Sequence, residues 1–396
     1  QITYTYNSAN ELASESELRG SLTYVTTYEY TYNSTQKSIA TLAVQKVGET
    51  VVRKTKTVSH NSEISSNPDE TIEYDEADNE YVTKTWYTQG PDGQYDKRIS
   101  RQENPDGTTV VYSYNRSGNL ETTTVESGIF SGNTLQKGTR QVSVSNKNGS
   151  SVSETTYFID AANNISQKIS ETVNTAFDSF GRPTTTTYLD GSSVTRVYGC
   201  CGIESETDRD GITTTYAYDN FSRVSYTVRD GITTLYTYDD AGNVLSTTIK
   251  GRNNGEITTS STYTLGKVAT STDALGNVTT YAYSATADTV TKPDGSTEIT
   301  TYQNGEETGK SGTAVHPVTY EFGANLQKEL PKNITTHTNM RGQVSKIVYG
   351  DNTYQENFYN SRNLLVKSVS PAGRIVLYEY DDLAAKTDAA TERFHT

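Results

Sequence analysis

Thr213 to Thr248 reads TTTYAYDNFSRVSYTVRDGITTLYTYDDAGNVLSTT, and its two halves nearly superimpose. Tyr216-Ala217-Tyr218-Asp219 returns twenty residues later as Tyr236-Thr237-Tyr238-Asp239. Thr, Tyr and Val crowd the positions before each Asp, and such residues fit a pleated, half-buried strand. Tyr216 and Tyr218 are two apart and share one face of that strand, as do Tyr236 and Tyr238. Asp239-Asp240-Ala241-Gly242 then turns the chain. An Asp side chain can bond backbone two residues on, and Gly accepts positive φ. The pattern fits a type I turn followed by a left-handed bulge residue, a common hairpin connection. Arg223-Val224 or Asn243-Val244 opens the return strand, and Asp210-Gly211 or Asp230-Gly231 makes the next turn. Each repeat is therefore two short antiparallel strands.

The period extends outward. DGSSVTRVYGCCGIE from Asp190 aligns without gaps with the copies from Asp210 and Asp230, bringing Tyr198, Tyr218 and Tyr238 into register, with Gly191, Gly211 and Gly231. Weaker copies open at Tyr6, Tyr74, Tyr114, Asp160, Phe177, Asp273, Asn339 and Tyr359. Asn10, Asp78 and Asn363 stand where other copies have Gly, and Asn and Asp are the residues that best tolerate left-handed backbone after Gly. Residues 160–300 are the most regular. Residues 15–70, 120–155 and 303–335 keep Thr and Tyr but lose the turn signature, and are expected to hold insertions, degenerate repeats or long loops. No apolar stripe of helical period occurs, so the expectation is an all-β chain with very little helix, one continuous repeat region over 1–396.

Composition agrees. Only 32% of residues are hydrophobic, with Met 1, Trp 1 and Phe 8, yet Tyr reaches 30. That aromatic content argues against disorder, and much of the apolar filling must be tyrosine ring. The net charge of −14 disfavours nucleic-acid binding, and no apolar run is long enough for a membrane helix.

YTYDDAGNVLSTT (Tyr236 to Thr248) and YAYDNFSRVSYTV (Tyr216 to Val228) resemble the YD repeats of the Rhs family, which also includes teneurins and the shell-forming component of insecticidal toxin complexes. The resemblance implies strands winding into a continuous spiral sheet that forms a hollow shell or tube, enclosing an effector in toxin members and serving adhesion in teneurins. Toxin-type shells end in a self-cleaving core with Asp-Pro-x-Gly sequences; here none of the eight prolines follows an aspartate.

At about ten residues per strand the chain makes on the order of 40 strands, a ribbon of roughly 190 Å and one coil of about 60 Å diameter. Repeat-like sequence at both ends, ITYTYNSANEL and LYEYDDLAAK, reads as sheet edges open to pairing, so subunits joining end to end, or a slice of a larger shell, is expected. Gln1 reads as a mature N-terminus or a fragment edge.

Signs of chemistry are sparse. His60, His316, His337 and His395 have no zinc-ligand spacing, and no nucleophile elbow, P-loop or dinucleotide fingerprint occurs. Asp208 and Asp210 before Gly211 form a fragment of a calcium loop but read better as a hairpin turn. The expectation is a non-enzymatic extracellular or cell-surface protein without cofactor or metal. Its partners would be copies of itself, neighbouring parts of a shell, or a glycan or cell-surface protein met by tyrosine faces.

Cys200 and Cys201 are the only cysteines, and they stand where Asn220-Phe221 and Asp240-Ala241 stand in the aligned copies. A vicinal disulfide stiffening that turn, free thiols, a cross-link to another chain and half of a metal site all fit.

Overall fold

The computed structural model describes residues 2–60, 69–89, 95–253, 255–380 and 393–395. Within them the chain is a single open sheet of thirty-four strands with no helix. Every strand pairs antiparallel with its neighbour in sequence, from β1 (Ile2–Tyr6) to β34 (Arg393–His395).

The repeat that opens the sequence is β17 (Thr213–Tyr218), β18 (Val224–Arg229), β19 (Ile232–Tyr238) and β20 (Val244–Lys250). Tyr218 pairs with Val224 and Tyr238 with Val244, each just past a bulge in the register. The turns have the expected build. Ser222 N–H bonds the Asp219 carbonyl at 3.0 Å, and the Asp219 N–H bonds the Arg223 carbonyl at 2.8 Å. The last turn residue is left-handed, with φ 61° at Ser222 and 92° at Gly242. The intervening turns take two forms. Asp230 and Gly231 make a two-residue connection with both φ positive, 51° and 74°, the geometry that matches strand twist. Asp208 to Gly211 instead repeats the four-residue turn.

Residues 15–70, 120–155 and 303–335 hold no long loops where described, and residues 61–68 lie outside the described residues. They are hairpins of the same ladder. In β10 (Leu120–Ser131) and β11 (Thr134–Asn146) the strands run to 12 and 13 residues. Thr and Val sustain the pairing there, and the chain turns at Gly132, φ 59°. Gly128 faces Gly138 across this hairpin with φ 147° and 148°, so close that a side chain on either would strike the opposite backbone.

Among the described residues no large side chain is fully buried. The sheet is a single layer, and the buried cluster of Ile72, Tyr74 and Met340 lies where it meets itself. The Asn304 side chain donates to the Gly20 carbonyl at 2.8 Å. That contact joins the turn between β2 (Leu12–Arg19) and β3 (Leu22–Asn33) to the turn between β25 (Thr297–Gln303) and β26 (Glu306–Ser311). The Met340 N–H donates to Glu76 at 2.7 Å, joining the turn between β6 (Asp69–Tyr74) and β7 (Glu80–Gln89) to that between β29 (Ile334–Thr338) and β30 (Val344–Val348). Arg362 pairs with Asp106, joining the turn between β8 (Tyr95–Glu103) and β9 (Thr109–Ser117) to that between β31 (Tyr354–Tyr359) and β32 (Leu365–Val369). From β2 to β25, β6 to β29 and β8 to β31 the step is the same, twenty-three strands.

The sheet therefore winds into a spiral whose second coil rests on the first. The one-coil estimate is corrected accordingly. Strands longer than assumed in residues 22–60 and 120–177 reduce their number, leaving a ribbon of about 160 Å. A coil of twenty-three strands measures about 110 Å around, or about 35 Å across if circular. Turns leaving odd-numbered strands line one edge of the ribbon, the odd edge, and those leaving even-numbered strands line the even edge. At each contact the odd edge of the second coil sits on the even edge of the first.

Gly128→Val is expected to lower stability by about 1–3 kcal/mol through backbone strain at the glycine pair. Denaturant unfolding checks this, and an unchanged midpoint would contradict the pairing.

Candidate functional site

The repeat signature gathers on the odd edge, where each residue type has one task. Asp219 accepts the N–H groups of Phe221 and Arg223 at 2.8 and 3.0 Å on one oxygen and the Arg223 Nε at 2.7 Å on the other. Asp239 holds Asn243 in the same way, through its N–H and its side-chain amide at 2.8 Å each. Gly211 and Gly231 lie on the opposite, even edge, and Gly242 closes the Asp239 turn.

The second tyrosine of each pair is a tie between turns. Tyr218 donates its phenol to the Ile203 carbonyl and Tyr238 to that of Val224, both at 2.8 Å. Tyr198 reaches Pro183, Tyr114 reaches Ile99, Tyr263 reaches Val244, Tyr359 reaches Val344 and Tyr380 reaches Leu365. Tyr30 does the same with Leu12. In nearly every case the acceptor is the first residue after the preceding odd-edge turn. The residue before that acceptor caps the ring: Arg182 lies 4.3 Å from the Tyr198 centroid and Arg223 4.5 Å from Tyr238, and Arg223 also donates to the Asp239 carbonyl. Tyr216 and Tyr236, the first of each pair, are half-buried in the strands.

Electrostatics follow from these contacts. Burial would raise the Asp219 carboxyl, but hydrogen bonds from Arg223 and Phe221 outweigh it and hold the pKa below the usual range. Asn243 lowers Asp239 and Asn277 lowers Asp273 by side-chain bonds. Desolvation raises Tyr238 and Tyr359, and Tyr74 is pushed up to about 12 by burial and its bond to Glu80.

Gly199-Cys200-Cys201-Gly202 forms the odd-edge turn between β15 (Ser193–Tyr198) and β16 (Ile203–Thr207). Cys200 is exposed and Cys201 half-buried, and their sulfurs lie 2.7 Å apart. The bond to Cys201 and its charge raise the Cys200 pKa. The flanking glycine has its own reason: a Cβ on Gly202 would sit 2.5 Å from the Tyr218 phenol oxygen, so glycine makes room for the tie.

Asp208 is a turn residue, bonding the Asp210 and Ile212 N–H groups and pairing with Arg229. The Asp210 carboxylate stays at the exposed turn tip. His60 ends one strand, His316 lies between strands, His337 sits in β29 and His395 in β34. No group of three or more metal-ligating side chains gathers among the described residues.

Sequence reading missed the surface between coils. Met340, 8% exposed, packs with Ile72 and Tyr74. Arg341 lies 3.8 Å from the Tyr81 ring centroid, pairs with Glu73 and donates to the Ser361 carbonyl. Partners more than 260 residues apart leave no local pattern.

No family model matches the sequence, and no curated protein matches it. Among solved structures, the chain is similar to the crystal structure of TcdB2-TccC3-Cdc42 (12% identity, TM-score 0.36) and to the Photorhabdus luminescens Tc holotoxin pore (13%, TM-score 0.37). It is also similar to the crystal structure of TcdB2-TccC3 (13%, TM-score 0.36). Each match covers 91% of this chain and 26% of the other, so the chain spans about a quarter of their length. At that overlap the likeness carries no argument, and the fold stands on the strand ladder.

Tyr238→Phe is expected to cost about 1 kcal/mol, with faster hydrogen exchange confined to residues around 224 and 238. Stability should also form a plateau in pH. The turn aspartates are lowered in the fold, so their contribution is present above the unfolded value near about 4 and is lost as pH falls. Tyr238 and Tyr359 are raised, so theirs is present below about 10 and is lost as pH rises. Thermal melts across pH check both limbs; a midpoint flat in strong acid would contradict the first.

Proposed function

We propose that this chain is a non-enzymatic wall of a hollow shell or tube of the YD-repeat type, working outside the cell or on its surface beside other parts of such a shell. The constant twenty-three-strand step between stacked turns carries the reading, because a ribbon that returns to rest on its own edge encloses space. The repeated chemistry supports it. Asp219 and Asp239 hold turns, Tyr218 and Tyr238 tie them, and the same roles recur along the edge rather than converging on one place. A glycan-binding face suits these tyrosines less well, since their phenols are bonded and Arg223 covers the Tyr238 ring. In this reading β1, whose pairing is with β2, is a strand where further wall would add.

Electron microscopy and small-angle scattering test the reading. The expected result is a hollow cross-section about 35 Å wide; an open, unwound ribbon would overturn it. Met340→Asp with Arg341→Ala is expected to part the coils. The radius of gyration should rise and exchange quicken at residues 72–82, while strand content stays constant.

A further inference from the structure

The way the second coil sits on the first shows what covers an odd edge. Its turn tips reach down to the even edge below: Met340 enters the apolar contact with Ile72, Arg341 covers Tyr81, and Arg362 meets Asp106. Arg341 and Arg362 are each the third residue of their turn, and the Arg341 side chain is only 8% exposed.

The odd edge of the first coil carries the same turns with no coil beneath them among the described residues. At two of them the third turn residue is phenylalanine. Phe180, between β13 (Ile165–Phe177) and β14 (Pro183–Tyr188), is 82% exposed; Phe221 is 79% exposed. Leu265, at the tip between β21 (Glu256–Thr264) and β22 (Lys267–Thr272), is 100% exposed. These tips fall on every fourth strand, an arc of about 40 Å. Each phenylalanine is backed by an arginine, Arg182 at 5.3 Å and Arg223 at 5.0 Å from the ring centroid. Bare apolar tips on the same edge that makes the contact between coils mark a contact surface.

The uncovered even edge complements it. Leu189, 45% exposed, and Leu275, 87% exposed, stand on its tips, next to the carboxylates of Asp190 and Asp273. On the same twenty-three-strand step, a further coil would cover the arc of this edge that holds both leucines.

We propose that the odd edge of the first coil, through Phe180, Phe221 and Leu265, docks on the even edge of a second copy of this chain. Copies then stack head to tail, each continuing the spiral as a further coil. The contact is heterologous, so it repeats along a column rather than closing a dimer. It rests on the spiral behind the shell reading, but it joins turn edges and leaves the terminal strands unpaired.

Sedimentation velocity on the 396-residue chain tests it. Up to about 100 μM the wild type is expected to gain mass with concentration. Phe180→Asp with Phe221→Asp should weaken association by at least about tenfold while leaving the thermal midpoint unchanged, because both rings are exposed. Leu189→Asp with Leu275→Asp should do the same from the other edge. Mixing the two double variants leaves one intact odd edge and one intact even edge, so a one-to-one complex that grows no further is expected. Maleimide labelling of Cys200, on the same odd edge, should slow in wild-type columns. A wild type that stays monomeric overturns the docking; double variants that associate like wild type overturn it as well. The shell reading fails separately, on a cross-section that is not hollow.

Discussion

Hydrogen bonding between strands adjacent in sequence holds this protein together. A single-layer sheet buries little on either face, and no large side chain among the described residues is fully enclosed. What a globular domain obtains from a core must here come from an unbroken ladder, with each hairpin templating the next. Strands pack chiefly on their neighbours in sequence, which suits a repeat array in which every unit leans on its immediate neighbours. It also makes turns the critical points, because a slip of one residue would carry every side chain of a strand to the wrong face.

The repeat motif divides that task. Aspartate satisfies the backbone of the turn, a left-handed residue lets the chain reverse, and the bulge sets tyrosine opposite valine. The phenol then reaches past its own hairpin to the carbonyl that follows the previous turn, and Arg223 and Arg341 bridge the gap to the next turn. These bonds stitch the odd edge along its length, while among the described residues the even edge shows no comparable row. Being individually modest and many, they give a wall whose stiffness is spread over its repeats.

Much of this was legible in the sequence because it is local. The Asp219 and Asp239 turns, the positive φ at Gly242 and Asn363, and the two-strand unit all follow from residues within one period. The tie was visible only as a strand-forming tyrosine, since its acceptor lies a hairpin away and is a main-chain atom without a side-chain signature. The coiling was implied only by the family resemblance, and its girth and the residues that meet between coils were not legible. Arg341 and Tyr81 are ordinary residues until winding brings them together, and strand number was misjudged because Thr- and Val-rich stretches such as 120–146 extend the strands without marking it. The paired cysteines likewise take their meaning from Tyr218, whose ring needs the glycine beside them.

The girth of the spiral is fixed by counting. Because the step is an odd number of strands, turns of the two coils meet tip to tip rather than interleaving. Strands enter and leave such a meander two at a time, so a gained or lost hairpin preserves that meeting. It moves every upper turn by one hairpin along the lower edge, about 10 Å, and gives Arg341 a different ring or none. Circumference and inter-coil chemistry are thus coupled. A lineage that changes the number of hairpins between residues 81 and 341 must also rewrite the residues at the tips, whereas changes in strand length alter the height of the wall and leave its bore alone.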